Sequence, residues 1–160
     1  MSIKVGDKLP SVTVTLATAE GPRPVTTDEF FAGKKVALFA LPGAFTPTCS
    51  AKHLPGFKQH SADIRAKGVD VIACLSVNDA FVMRAWAEDQ AVGDDIVMLA
   101  DGSATFTKAI GLELDATAGN MGIRSQRYSM IVDDGVVTQL NIEEPGDFKV
   151  SSADYLRGAL

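Results

Sequence analysis

The segment KVALFALPGAFTPTCS, residues 35–50, decides the predicted fold of this chain. Its apolar run Lys35–Leu41 is typical of a strand that is covered on both faces, and Pro42-Gly43 ends that strand. Thr46 and Pro47 then begin a helix, because threonine is a favoured N-cap residue and proline a favoured first helical residue. The segment therefore predicts an α/β unit whose turn lies at the carboxyl end of a strand, where α/β proteins place their reactive groups.

The apolar patterns on either side of this segment predict alternating helices and strands. Helices are expected over 27–31, 47–67, 80–87, 104–110 and 153–158, and strands over 12–16, 23–26, 69–77, 96–100, 128–132 and 136–140. Asp133-Asp134-Gly135 joins the last two strands as a hairpin, and Pro55-Gly56 is expected to kink the longest helix. Alternation favours parallel pairing, whereas hairpins add antiparallel strands. We therefore expect an α/β, thioredoxin-like fold with a central mixed β-sheet, helices on both faces and an N-terminal β-hairpin, formed by a single domain, residues 1–160.

The composition disfavours several classes of function. The 160 residues carry 15 Lys and Arg against 20 Asp and Glu, a net charge of −5, whereas nucleic-acid binding requires clustered positive charge. The longest apolar stretch, Val36–Leu41, is far shorter than the roughly 20 residues that cross a bilayer, so no membrane role is expected. Two cysteines, and a first segment without a secretory signal, favour a reducing, cytoplasmic location. The sequence has neither metal-ligand spacing nor a Gly-x-Gly-x-x-Gly motif, so we expect no metal and no nucleotide cofactor.

Cys49 is the third residue of the helix that begins at Pro47. Unpaired N–H groups and the positive end of the helix dipole favour a thiolate at that position. The Thr46 hydroxyl can hydrogen-bond the sulfur or an oxygen that approaches it. The alternative is an inert, half-buried thiol, which is the usual state of a free cysteine. Lys52 stands where a Cys-x-x-Cys disulfide exchanger has its second cysteine, which argues against that class.

Residues 42–50, PGAFTPTCS, resemble the peroxiredoxin signature Pro-x-x-x-Thr-x-x-Cys, with every fixed position filled. Residues 52–57, KHLPGF, and 76–83, SVNDAFVM, are similar to the type II, peroxiredoxin-five-like branch of that family. The resemblance extends from GDKLP at 6–10 to the terminal helix, which is essentially the whole chain. It implies a thioredoxin fold and a thiol peroxidase that reduces hydrogen peroxide and organic hydroperoxides to water and alcohols.

The resemblance also implies a role for each residue of the site. Cys49 would be the peroxidatic cysteine that becomes a sulfenic acid, Thr46 would orient the peroxide oxygens, and Pro42 would shield the sulfur from water. Arg127 matches the family arginine that holds the thiolate, and a guanidinium suits that task because it stays charged and offers five donors. Arg124 is the rival for this role, but Arg127 directly precedes a predicted strand and is expected to be held more rigidly.

Cys74 has two interpretations. It lies 25 residues after Cys49, a spacing at which type II relatives can carry a cysteine, and some of them use it to resolve the sulfenic acid. Its place in the predicted strand 69–77 favours a structural cysteine, because a disulfide requires Cα atoms within about 7 Å. Another branch has its resolving cysteine before the last helix, where residues 145–152 here contain none.

We therefore expect a one-cysteine cycle in which glutathione or glutaredoxin regenerates the thiol, with thioredoxin as the other possible reductant. A redox sensor or thiol–disulfide relay without peroxidase turnover is the alternative function. It would need Cys49 as well, so only turnover with a reductant distinguishes the two.

Three further positions lead to weaker expectations. His53 lies four residues after Cys49 and could form a Cys-His pair, but a hydrogen bond to the backbone near Pro55 is favoured. Glu143-Glu144 is expected to lie in a solvated loop. Phe45 is expected to face a partner subunit, because the family commonly forms homodimers through the edges around this turn.

Overall fold

A seven-stranded sheet forms the centre of the computed structural model, which describes residues 2–160. The strands are Thr13–Thr18 (β1), Gly21–Thr26 (β2), Lys35–Leu41 (β3), Val71–Ser76 (β4), Val97–Ala100 (β5), Glu113–Asp115 (β6), Ile123–Ser125 (β7), Tyr128–Asp133 (β8) and Val136–Ile142 (β9). Their order in the sheet is β2-β1-β5-β4-β3-β8-β9, while β6 and β7 form a separate pair. The strand β4 is parallel to β3 and β5, and the other pairs are antiparallel. The predicted mixed sheet and N-terminal hairpin are confirmed, whereas β6 and β7 were not predicted.

Helices cover both faces of this sheet. They are Thr27–Phe31 (α1), Leu54–Gln59 (α2), Ser61–Ala66 (α3), Ala80–Asp89 (α4), Thr105–Ala109 (α5) and Ala153–Gly158 (α6). Side chains from α2, α3, α4 and α6 form a buried apolar cluster on one face, and side chains from α1 and α5 join the cluster on the other. Within residues 2–160, no helix is both long and apolar enough to cross a membrane.

The strand β3 lies between β4 and β8 and carries side chains into both apolar clusters. Ala37, Phe39 and Leu41 belong to the cluster that contains Cys49, and the alternate residues belong to the opposite cluster. This explains why residues 36–41 form an uninterrupted apolar run, since both faces of the strand are buried. The predicted strand therefore ends, as expected, directly before the turn that leads to Cys49.

The predicted helix 47–67 is wrong as a single helix. Its first residues are helical, but a π-helical turn follows at Cys49–His53, and His60 separates α2 from α3.

Pro55 gives a physical reason for the wide turn. Proline has no N–H to donate and its ring clashes with the preceding turn, so it cannot extend the ordinary i→i−4 ladder. The N–H of Leu54 instead bonds the carbonyl of Cys49, five residues back. The irregularity therefore lies one turn before the predicted kink at Pro55-Gly56, and Pro55 itself lies in the first turn of α2.

Candidate active site

Thr46 lies in the turn that follows β3, shortly before the buried Cys49. The Thr46 carbonyl accepts a hydrogen bond from the Ser50 N–H at 2.9 Å and so begins the helix. The Thr46 hydroxyl does not bond the Cys49 sulfur; it donates to the Gly43 carbonyl at 2.6 Å. The proton of this hydroxyl is committed in that bond, so its oxygen presents lone pairs that can accept a hydrogen bond from a ligand.

Cys49 and Arg127 come together beneath this turn. The Cys49 side chain is fully buried, and Arg127 Nη2 lies 3.1 Å from Cys49 Sγ. Strand pairing explains the contact: Tyr128 pairs with Ala40, so the residue before Tyr128 lies beside the end of β3. A guanidinium keeps its positive charge, and at this distance it donates a hydrogen bond to the sulfur.

His53 lies behind Arg127 and is also fully buried. Arg127 Nη1 lies 2.9 Å from His53 Nδ1, and His53 Nε2 lies 3.0 Å from the Ser151 carbonyl. A carbonyl can only accept, so Nε2 carries the ring proton and Nδ1 accepts from the guanidinium. Burial, together with the positive charge of Arg127, lowers the pKa of His53 to about 3, so the ring is neutral at physiological pH. The expected backbone bond near Pro55 is therefore wrong in its place, because the partner is Ser151.

Glu143 is not part of a solvated loop, which corrects the expectation from the sequence. Glu143 is only 6% exposed. One of its carboxylate oxygens accepts hydrogen bonds from the N–H groups of residues 149, 150 and 151 and from the Ser151 hydroxyl. Burial acts to raise the pKa of Glu143, but these hydrogen bonds outweigh it, so the pKa lies below its ordinary value. The neighbouring Glu144 is exposed, as expected.

Arg124, the rival of Arg127, lies on the outer side of the turn. Its Nε donates to the Met121 carbonyl at 2.9 Å, and its Nη1 lies 3.5 Å from the Pro42 carbonyl and 3.4 Å from the Val77 carbonyl. These contacts hold backbone around the turn, whereas Arg127 contacts the sulfur itself. The two arginines therefore differ in their contacts, and only Arg127 lies within hydrogen-bond distance of Cys49 Sγ.

Cys74 lies in β4, where its backbone is opposite Phe39 on one side and Met98 on the other. Its side chain is fully buried in the same apolar cluster as Cys49, and both cysteines are free. Burial, and then the proximity of Cys49, raises the pKa of the Cys74 thiol well above its ordinary value. A neutral, covered thiol is a poor nucleophile.

The mouth of the site is a cavity of about 250 Å³ that reaches Pro42, Thr48 and Arg127. Its remaining lining residues come from two loops and β6: Leu114, Gln126, Glu143, Glu144, Pro145, Gly146 and Asp147. A larger cavity of about 580 Å³ lies against β1, β2 and α4, but neither a cysteine nor a histidine lines it. The chemistry is therefore concentrated at the smaller cavity.

From the sequence, a contact of His53 with Cys49 was weighed but a backbone contact was favoured, and Glu143 was not connected with this site. The spacing of four residues between Cys49 and His53 was the signal for the histidine, whereas no local pattern pointed to the glutamate. Pro42 and Arg127 line the cavity, and Arg127 also contacts Cys49. Thr46 lies in the turn before Cys49, and Cys74 lies in β4, beside β3.

Known proteins of one family are similar to this chain. A sequence model described as Redoxin matches residues 4–156. The chain is 53% identical to peroxiredoxin-2E-2, chloroplastic, of Oryza sativa subsp. japonica, over 99% of this chain and 73% of that protein. It is 45% identical to peroxiredoxin-2B of Arabidopsis thaliana, over 99% of this chain and 98% of that protein. Its structure is similar to that of reduced Prx3 of Vibrio vulnificus in complex with H₂O₂, with a TM-score of 0.94, 56% identity and 98% of each chain covered.

Proposed function

Because this chain belongs to the Redoxin family, as a peroxiredoxin of the type II branch, we propose that Cys49 is its reacting thiol. The chain is a thiol peroxidase. The 3.1 Å contact between Arg127 Nη2 and Cys49 Sγ carries the assignment of the residue. The thiolate is the nucleophilic form of cysteine, and a permanently charged donor at that distance stabilises it.

The first half of the proposed cycle oxidises Cys49. The thiolate sulfur attacks one oxygen of the hydroperoxide, and an S–O bond forms as the O–O bond breaks. The other oxygen leaves with the electron pair and takes up a proton, becoming water or an alcohol. The sulfur loses two electrons, the peroxide gains them, and Cys49 becomes a sulfenic acid.

Thr46 and Pro42 have supporting roles in this step. The Thr46 oxygen accepts a hydrogen bond from the peroxide O–H, since its own proton is donated to Gly43. Pro42 lines the mouth of the cavity and limits the access of water to the sulfur. Arg127 stabilises the negative charge that spreads from the sulfur toward the leaving oxygen, and it is already oriented before the peroxide arrives.

The second half of the cycle regenerates the thiol, and we assign this role to glutathione or glutaredoxin. One glutathione thiol displaces the sulfenic hydroxyl as water and forms a mixed disulfide with Cys49. A second thiol then attacks this mixed disulfide and releases Cys49 as a thiol. A second glutathione leaves as oxidised glutathione, whereas a glutaredoxin thiol leaves as a glutaredoxin–glutathione mixed disulfide. The burial of Cys74 in β4 supports this assignment, as does the absence of cysteine from residues 145–152. Thioredoxin is the other dithiol that could reduce Cys49.

A second copy of this chain is the proposed partner beside the reactive turn. Phe45 is 53% exposed and has a positive φ of 63°, while Phe81, near the start of α4, is 74% exposed. The Phe45 ring lies 6.4 Å from that of Trp86, which belongs to the same helix as Phe81. Exposed aromatic side chains are typical of protein interfaces. Analytical ultracentrifugation is expected to give a dimer for the wild type and a monomer for Phe81→Asp, and a wild-type monomer would contradict the proposal.

We propose the cytoplasm as the location of this activity. Cys49 must be reduced to attack a peroxide, and a reducing compartment keeps thiols in that state. Both cysteines being free supports this proposal. Fractionation of cells that express the tagged chain tests it, and recovery in an oxidising compartment would contradict it.

Steady-state peroxide reduction with glutathione and glutaredoxin tests the proposed cycle. Cys49→Ser is expected to abolish turnover, because it removes the attacking sulfur. Cys74→Ser is expected to retain it, because this cycle needs one cysteine. If Cys74→Ser lost turnover while its first oxidation remained normal, Cys74 would be a resolving cysteine and the one-cysteine cycle would be wrong.

A further inference from the structure

We propose that Glu143 is a positioning residue for the peroxidase reaction and acts on Arg127 through Ser151 and His53. The proposal rests on the assignment of Cys49 and Arg127 made above. It explains why a carboxylate is buried at a position where it contacts neither the sulfur nor the guanidinium.

The first step from Glu143 to Arg127 is the hydrogen bonding of Glu143 to residues 149–151. Glu143 Oε2 accepts hydrogen bonds from the N–H groups of Lys149 at 2.7 Å, Val150 at 2.9 Å and Ser151 at 2.8 Å, and from the Ser151 hydroxyl at 2.7 Å. Residues 149–151 form neither helix nor strand, so no backbone ladder supports them. Hydrogen bonds to a charged acceptor are stronger than those between neutral groups, so this carboxylate determines the course of the segment.

The second link is the carbonyl that this segment presents to His53. The Ser151 carbonyl lies 3.0 Å from His53 Nε2 and requires a proton on that nitrogen. The other ring nitrogen, Nδ1, is thereby left as an acceptor. The charged groups around the ring are Arg127 in direct contact, Cys49 across the guanidinium, and Glu143 on the far side of Ser151.

The third link is the guanidinium. Arg127 donates through Nη1 to His53 Nδ1 at 2.9 Å and through Nη2 to Cys49 Sγ at 3.1 Å, so two separate nitrogens fix its orientation. Because His53 is neutral, it orients Arg127 without neutralising the charge that faces the sulfur. A carboxylate in direct contact would compete with the thiolate for that charge, whereas Glu143 acts from a distance.

A separate contact also joins Glu143 to the backbone of Arg127. The Glu143 N–H donates to the Arg127 carbonyl at 3.0 Å. Phe148, in the same loop, has its ring 5.8 Å from the Arg127 guanidinium carbon and 5.1 Å from the His53 ring. The loop that Glu143 closes therefore forms one wall around both residues.

The variant Glu143→Gln tests the proposal. It replaces the charged acceptor with a neutral one, and the 149–151 segment and the Ser151 carbonyl are expected to shift. Misplacement of a catalytic group by about 1 Å can slow a reaction about 100-fold, so we expect oxidation of Cys49 by hydrogen peroxide to slow about 10- to 100-fold. Glu20→Gln makes the same change of charge in the exposed turn between β1 and β2 and is expected to react at the wild-type rate.

The pH profile provides a readout that a general loss of packing would not change. In the wild type His53 stays neutral, whereas water that enters beside the shifted segment of Glu143→Gln would move its pKa toward 6.5. Protonated His53 has no acceptor for Arg127, so the rate of the variant relative to the wild type is expected to fall further as the pH falls from about 7.5 to 5.5. A constant ratio across this range would overturn the proposal.

Nuclear magnetic resonance of the histidine rings keeps the proposal testable if Glu143→Gln folds poorly. The chain has two histidines, so His60→Gln assigns the signals. The proposal predicts a neutral His53 in the wild type with its proton on Nε2, and a proton on Nδ1 would overturn it. The variant Arg127→Ala tests the assignment of Arg127 separately from that of Glu143. An unchanged rate in Arg127→Ala would refute the assignment of Arg127. A slow Arg127→Ala together with a wild-type rate for Glu143→Gln would refute the role of Glu143 alone.

Discussion

Truncation of Arg127 is the perturbation whose effect follows most directly from the geometry of the site. Arg127→Ala removes the 3.1 Å contact with Cys49 Sγ and the 2.9 Å contact with His53 Nδ1. It leaves the buried sulfur of Cys49 without a nearby positive charge. It also removes the charged donor that would face the departing oxygen of the peroxide. Both losses raise the barrier to peroxide reduction.

The size of the effect can be taken from comparable sites. Removal of one preoriented donor to a developing negative charge costs about 2.7–4 kcal/mol, which corresponds to about a 10²- to 10³-fold slower reaction. Arg124→Ala is the matched control, because it removes the same type of side chain from the outer side of the turn. Its contacts are with backbone carbonyls and none is with the sulfur, so no donor aimed at the reacting atoms is lost and we expect less than about a tenfold effect on the rate.

Trp86 fluorescence provides the assay. Trp86 is the one tryptophan of the chain, it is fully buried, and its Nε1 donates to Ser50 Oγ at 3.1 Å, directly beside Cys49. Rapid mixing of the reduced protein with an excess of hydrogen peroxide should therefore change the emission as Cys49 is oxidised. The dependence of the observed rate on peroxide concentration gives the second-order rate constant.

Equal rate constants for Arg127→Ala and Arg124→Ala would refute this reasoning, whether both were slow or both were normal. A thermal unfolding curve for each variant, with the same midpoint as the wild type, would show that any difference arises in the site.

Three smaller predictions concern groups outside the sulfur–guanidinium contact. The Tyr128 hydroxyl is buried and has no hydrogen-bond partner among residues 2–160. Tyr128→Phe should therefore increase the free energy of unfolding by about 1 kcal/mol, as measured by urea unfolding. A clear loss of stability would contradict this. Cys74 is buried and its pKa is raised, so iodoacetamide should label it at a rate set by unfolding, and fast labelling in the native protein would show that β4 opens. The lowered pKa of Glu143 means that its carboxylate stabilises the fold above pH of about 4.5 and that this contribution is lost as the pH falls through the folded-state pKa. The stability difference between the wild type and Glu143→Gln should therefore shrink as the pH falls below about 4.5, and a difference that is constant with pH would contradict the assignment.

Local signals explain how much of the fold could be predicted. The run Lys35–Leu41, the break at Pro42-Gly43 and the start at Thr46-Pro47 each act within a few residues, and the structure places the strand and the beginning of the helix where they indicate. The helix 47–67 was overextended because its periodicity outweighed the effect of Pro55 on the backbone ladder. The short pair β6 and β7 has three residues in each strand, which is too few for a clear alternating pattern.

The site was predictable only where sequence neighbours carry it. Cys49, Thr46 and Pro42 lie within one turn, and Arg127 was found through the family resemblance and its place before a strand. The contacts of His53 with Arg127 and with Ser151 join residues 74 and 98 positions apart, and no local pattern encodes them. Glu143 was misread for the same reason, since a pair of glutamates between elements is usually solvated, and only the folded loop supplies the donors that bury one of them.

The most direct test of the central claim is to identify the sulfur that a single equivalent of peroxide oxidises. The reduced protein would be treated with hydrogen peroxide in the presence of a dione that traps sulfenic acids, digested, and analysed by mass spectrometry. We expect the adduct on Cys49 and an unmodified thiol at Cys74. An adduct on Cys74, or an unmodified Cys49 after the peroxide is consumed, would contradict it.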